Sequence, residues 1–186
     1  MRRNKEESGH LPVFGVGPLY VYGIVLLTVA AMLCCELPRF IGGLLPEVWA
    51  KGLDVLGVLL MASGAILWIL AVPVSKVHVS IKENKLLTTG VYAWVRHPIY
   101  SAVMLFCTGW IFVIGNVYFF ILPVLYWLFL TVLMKATEEK WLRDRYGEEY
   151  EAYCLRVNRC IPSFPKKGER LKPQDISTDE MKPINR

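Results

Sequence analysis

Between His97 and Lys135 the chain runs for 37 residues, Pro98 to Met134, without a single charge. As one helix this run would be about 55 Å long at 1.5 Å per residue, far beyond the roughly 30 Å of a bilayer's hydrocarbon core. It must therefore double back. Gly115-Asn116 is a turn signal near its middle, and it divides the run into 17 and 18 residues, a tight helical hairpin of two short spans.

Two further charge-free stretches, Leu11 to Cys35 and Val55 to Ser75, are also long enough to cross a bilayer. With 54% hydrophobic residues among 186, the chain is too apolar for a soluble domain of this size. The expected fold class is all-α integral membrane, with four transmembrane helices, the last two forming the hairpin, plus cytoplasmic amphipathic helices at the C-terminus. Pro18 suits the first turn of the first span, which should stop at Glu36-Leu37-Pro38. The second should cover Val55 to Val72, with Pro73 closing it. The organisation expected is a cytoplasmic N-terminal segment (1–17), two transmembrane helices (18–74), a core of loop, hairpin and C-terminal helices (75–162) and a disordered polar tail (163–186).

Lys and Arg set the orientation, because cytoplasmic loops are enriched in them. With the N-terminus inside, nineteen of the 21 positive charges fall on the cytoplasmic side, and only Arg39 and Lys51 fall outside. Both termini and the "RHPIY" segment then face the cytoplasm. Topology and attraction to anionic lipid headgroups account for the net charge of +5, so nucleic acid is not an expected partner. The five cysteines show no CxxC spacing and no nearby His, so neither a metal site nor a disulfide framework is expected. The basic start lacks a short apolar region with a cleavage site, so a removed signal peptide is not expected, and no lipidation Cys is seen at the end.

Residues 74–95 contain strand-like Val74, Val77, Val79 and Ile81, too few for a sheet, and read as an ordered cytoplasmic loop. After the hairpin, Leu142, Tyr146, Tyr150, Tyr153 and Val157 form one apolar stripe on a charged helix. That stripe suits either a helix lying on the bilayer or a ligand wall. Gly147 interrupts it, leaving Glu148 and Glu149 at the favourable start of a following helix.

A hairpin returns to the side from which it started, so Arg96-His97 at its beginning and Glu138-Glu139 at its end should be neighbours, forty residues apart in sequence. Tyr92, Trp94, Tyr100 and Trp141 stand between them. An aromatic-lined junction with acids on one wall and Arg and His on the other suits a flat, cationic ligand with a polar tail. Each part also has a plainer reading: Arg, His, Tyr and Trp mark membrane boundaries, and paired glutamates favour a helix's first turn. Ser101, Ala102 and Gly109 leave room for a lipid tunnel or serve close helix packing.

"NKLLTTGVYAWVRHPIY", the apolar hairpin and then "EEKWLRDRYGEEYEAYCLRVNRCIP" together resemble the isoprenylcysteine carboxyl methyltransferase and phospholipid methyltransferase group of membrane enzymes. The likeness runs from about Asn84 to Pro162, a little over two-fifths of the chain. It implies S-adenosyl-L-methionine as methyl donor in a cytoplasmic pocket, and cofactor contacts from Asn84, Lys85, Leu86, Leu87, Tyr92, His97, Pro98, Ile99, Tyr100 and Glu138. Glu138 suits the ammonium of the cofactor's methionine part, and Tyr92 or Tyr100 suits its sulfonium or adenine. Catalysis is expected to rest on orientation, with His97 and Arg159 as candidate catalytic residues. Where the carboxyl methyltransferases carry a substrate-orienting Arg, four residues before the EE glutamate, this chain has Met134.

The implied partner is a lipophilic or lipid acceptor reached from the bilayer. A lipid-like carboxylate or thiol, a phospholipid amine, and a non-catalytic protein that binds a headgroup or partner are the readings left open. Transport is disfavoured, since no ionisable residue lies within a span.

Overall fold

The computed structural model describes residues 16–74 and 86–163. Regular structure in these residues is helical, and strand pairing is confined to two isolated bridges, Leu44 with Asn116 and Val95 with Asn158. Helix α1 is Gly17–Cys35, α2 is Pro38–Ile41, and α3 is Glu47–Ile69, which continues as a π turn, Leu70–Val74. Helix α4 is Pro98–Ile114, α5 is Leu122–Ala136 behind a 3-10 turn, Val117–Ile121, and α6 is Glu138–Arg156. Among the described residues three helical stretches are long and apolar enough to cross a membrane: Gly17–Cys35, Glu47–Val74 and Val117–Ala136. Pro98–Ile114 is shorter, at 17 residues. Of the expected N-terminal segment (1–17), loop (74–95) and polar tail (163–186), residues 1–15, 75–85 and 164–186 lie outside the described residues.

Pro18 sits in the first turn of α1, as its fixed φ favours. Helix α3 departs from expectation at both ends. It begins at Glu47, two turns before the apolar stretch, where Glu47 stabilises the helix N-terminus and pairs with Lys51 at 2.8 Å. At its other end Pro73 lies inside the π turn instead of ending the helix, because that wider turn tolerates a residue without an N–H.

The hairpin turns where the sequence places it. Gly115 adopts φ 63°, a left-handed conformation natural to glycine, and its N–H caps α4 on the Phe112 carbonyl at 3.0 Å. Asn116 is fully buried: its amide donates to the Phe40 carbonyl at 2.9 Å, and its Oδ1 accepts from the Tyr118 N–H at 3.1 Å. Leu45 N–H donates to the Gly115 carbonyl and Val117 N–H to the Gly43 carbonyl, both at 2.9 Å, so the tip is stitched to the segment between α2 and α3. Asn116→Ala strands these backbone partners and is expected to lower stability by about 1–3 kcal/mol, read from thermal unfolding in detergent.

Helix α4 lies at the centre. One face meets α3 through small residues: a β-carbon built on Gly57 would fall 2.6 Å from the Gly109 carbonyl oxygen, and one on Gly64 would fall 2.6 Å from that of Ala102. Gly57 and Gly64 are seven apart, as are Ala102 and Gly109, so the two backbones touch along one seam. Ala102 and Gly109 thus serve close packing of α4 on α3. Gly64→Val is expected to push the helices apart and lower the melting temperature, at about 1–3 kcal/mol for an overpacked seam. The other face of α4 carries Met104, Cys107 and Ile111 into a core with Tyr20 and Ile24 of α1, Tyr126, Leu130 and Met134 of α5, and Cys160.

Candidate functional site

Both ends of the hairpin meet at one polar junction. A 3-10 turn, Gly90–Ala93, starts on Gly90 at φ 62° and delivers buried Tyr92. His97 is the N-cap of α4, held out of helical geometry at φ −119° and ψ 65°, with Pro98 fully buried behind it at N1. At the far end Thr137, at φ −126° and ψ −85°, kinks the chain between α5 and α6 and donates its hydroxyl to the Leu133 carbonyl at 2.6 Å. The kink leaves Glu138 and Glu139 in the first turn of α6, where the helix dipole favours acids.

The two acids have different surroundings. Glu139 is 1% exposed, and its carboxylate is gripped by Arg159, from Nε at 2.5 Å and from Nη2 at 2.8 Å. Arg96 Nη1 adds an ion pair at 3.2 Å, and His97 Nε2 stands 3.5 Å away. Burial alone would push the Glu139 carboxyl up, yet its contacts with His97 and Arg159 and the charge of Arg96 prevail and hold it well below the usual carboxylate range. Glu138 is 18% exposed; it accepts from the Tyr100 hydroxyl at 2.7 Å and lies 3.7 Å from His97 Nδ1. Tyr100 stacks on the His97 ring at a centroid distance of 5.9 Å. Burial first, and the Glu138 charge second, push the Tyr92 phenol up to about 12, so it stays neutral beside that acid.

The segment after α6 closes the junction. Arg96 N–H donates to the Asn158 carbonyl at 2.8 Å, His97 N–H to that of Arg159 at 3.2 Å, and Ser163 N–H to that of Trp94 at 3.0 Å. The stripe on α6 packs inward: Leu142, Tyr146, Tyr150, Tyr153 and Val157 cluster with Leu86 and Cys154, and the Tyr153 hydroxyl donates to the Tyr92 carbonyl at 2.6 Å. Its partner is therefore the loop before α4. Gly147, at φ 50° and ψ −125°, breaks the helix where expected.

Tyr92, His97, Tyr100 and Glu138 are brought together. Leu87 and Ile99 pack instead into the apolar cluster of Leu67, Ala71 and Val91, and Leu86 joins the tyrosines of α6. Trp94 is exposed. Asn84 and Lys85 lie outside the described residues. Sequence reasoning missed Glu139 as the buried anchor, and Cys154, whose Sγ accepts from Arg96 Nη1 at 2.6 Å. One signal could have found Glu139: three residues before Leu142, it continues the α6 stripe by one turn.

A hairpin of apolar helices closed by buried acid–arginine pairing, with a second, accessible acid ringed by tyrosines, defines a helical membrane protein with a polar site where its spans begin and end. The chain belongs to the phospholipid methyltransferase family, whose profile matches residues 54–149. It is 34% identical over 85 residues to protein-S-isoprenylcysteine O-methyltransferase of Schizosaccharomyces pombe, covering 45% of this chain and 36% of that one. With the probable protein-S-isoprenylcysteine O-methyltransferase of Oryza sativa subsp. indica it shares 32% over 81 residues, 43% of this chain and 42% of the other. A delta(14)-sterol reductase of Mus musculus is 33% identical over 83 residues, 42% of this chain and 19% of the reductase. The chain thus spans well under half the length of these relatives. No solved structure matches it.

Proposed function

We propose that the protein is an S-adenosyl-L-methionine-dependent methyltransferase acting on a hydrophobic, membrane-borne acceptor, the carboxylate or thiol of a lipid-like molecule. One observation carries the reading: the hairpin brings His97 to 3.7 Å from Glu138, an acid that is accessible where Glu139 is not. The residues suit the cofactor, since a partly exposed carboxylate beside the rings of Tyr92 and Tyr100 is a site for a cation. When bound, the cofactor's sulfonium supplies the methyl group for an in-line displacement. Glu138 holds the cofactor's ammonium, Tyr100 fixes the direction of Glu138, and the Arg96–Glu139–Arg159 pairing keeps the wall rigid. Orientation of this kind contributes up to about 7–11 kcal/mol in favourable cases.

In the same reading α4 is a fourth, short span, the termini and the site face the cytoplasm, and the acceptor arrives laterally from the bilayer. A carboxylate or thiolate acceptor needs no base. A second reading, methylation of a phospholipid headgroup amine, is favoured by one feature: Met134 is fully buried among Tyr20, Ile24 and Leu130 and offers an anionic acceptor nothing. An amine must lose a proton, and His97 is the group placed to take it.

Native membranes incubated with methyl-labelled S-adenosylmethionine test both. Label in a base-labile ester or in a thioether supports the first reading, and label in an amine headgroup supports the second. Without any labelled lipid the protein is a headgroup- or partner-binding module.

A further inference from the structure

Helix α1 lies outside residues 54–149, the part of the chain that the family profile covers. Its first residue nevertheless touches the site. A β-carbon built on Gly17 would overlap the Tyr100 hydroxyl and fall 2.6 Å from Cε1 and Cζ of the same ring. One turn on, fully buried Tyr20 meets the Tyr100 ring edge-on, at a centroid distance of 6.0 Å and an angle of 73°. Tyr20 is itself fixed, donating its hydroxyl to the Tyr126 carbonyl at 3.3 Å. The Tyr100 ring is thus confined between His97 on one side and the start of α1 on the other, with its hydroxyl on Glu138.

We infer that Gly17 is a positioning residue: its bare backbone makes the space that lets Tyr100 reach Glu138, so α1 forms part of the cofactor site. This rests on the cofactor reading of Glu138 given above. With a methyl group at residue 17, the ring must swing away, because neither the α1 backbone nor the fixed Tyr20 yields as easily as one phenol. Glu138 then loses its short hydrogen bond from Tyr100 and keeps the longer contact with His97, so its carboxylate is less firmly oriented. Gly17 is not required for helix geometry, since alanine is the better helix former. A merely structural role therefore predicts a lower melting temperature with the affinity of the folded protein unchanged.

The test is calorimetric binding of S-adenosylmethionine to the full chain in detergent. Wild type should bind, and Gly17→Ala and Tyr100→Phe should each bind about ten- to hundredfold more weakly, the range for one hydrogen bond to a charged group. Gly23→Ala is the control on the same helix, because its new methyl meets only the Phe129 ring, at 3.3 Å; it should bind as wild type. The Gly17→Ala/Tyr100→Phe double variant should bind no worse than Tyr100→Phe alone, and it serves as the test if the single glycine variant does not fold. Wild-type affinity in Gly17→Ala, or additive losses in the double variant, would overturn the inference while leaving the cofactor reading intact. Failure of the wild-type chain to bind overturns the cofactor reading, and the role of Gly17 with it.

Discussion

Glu139→Ala is expected to destabilise the protein by about 3–5 kcal/mol, the range for breaking a buried ion pair and leaving its partners uncompensated. Two guanidinium groups and an imidazole converge on this one carboxylate, which is 1% exposed. Once it is gone, Arg96 keeps Cys154 and its backbone bond to Asn158 but no carboxylate among the described residues, and Arg159 loses both arms of its fork. The Asn158–Ser163 segment should then peel away from Trp94–His97. Thermal unfolding in detergent measures the loss, and limited proteolysis after Arg156 or Arg159 reports where it occurs. The effect carries a pH signature. In the folded chain the carboxyl holds its proton less tightly than one with the ordinary pKa of 4.5, so its contribution is complete above that value. It is lost as pH falls through the lowered value. The melting-temperature gap between wild type and Glu139→Ala should persist down to about pH 5 and close only in stronger acid.

That two adjacent glutamates sit in different surroundings marks the boundary of what the sequence makes legible. The hairpin follows from length and charge alone: 37 uncharged residues cannot cross a bilayer once, and Gly115 supplies the left-handed turn. Bringing Arg96-His97 to Glu138-Glu139 then needs only the fact that a hairpin closes on itself. Choosing between the glutamates needs helix phase. Reading the stripe backward from Leu142 reaches Glu139 and turns Glu138 toward Tyr100, a step available in the sequence once the stripe is known to face inward. The inward direction was hidden, because tyrosines on a charged helix suit a lipid surface as well as a protein loop. Arg159 illustrates a different limit. Its fork suits any carboxylate, and only the path of the Asn158–Ser163 segment makes that carboxylate Glu139. The contact of Gly17 with Tyr100 had no local signal at all, since it depends on how far α1 reaches along α4.

Glu138→Gln is expected to weaken S-adenosylmethionine binding by about ten- to hundredfold, equivalent to about 1.5–3 kcal/mol for a charge-assisted hydrogen bond. Stability should hardly change, in contrast to Glu139→Ala. The substitution keeps the side chain's volume and an oxygen for the Tyr100 hydroxyl, and it removes only the charge that a cationic ligand would meet. Glu138 anchors neither Arg96 nor Arg159, so no buried cation is left unpaired. His97→Ala should weaken binding too, but with a lower melting temperature, since the ring stacks on Tyr100 and faces both acids. Measuring affinity and melting temperature on the same preparations therefore separates the acid proposed to bind the cofactor from the structural one. If Glu138→Gln binds the cofactor as tightly as wild type, the accessible acid is not the cofactor's partner and the assignment of this junction as a methyl-donor site fails.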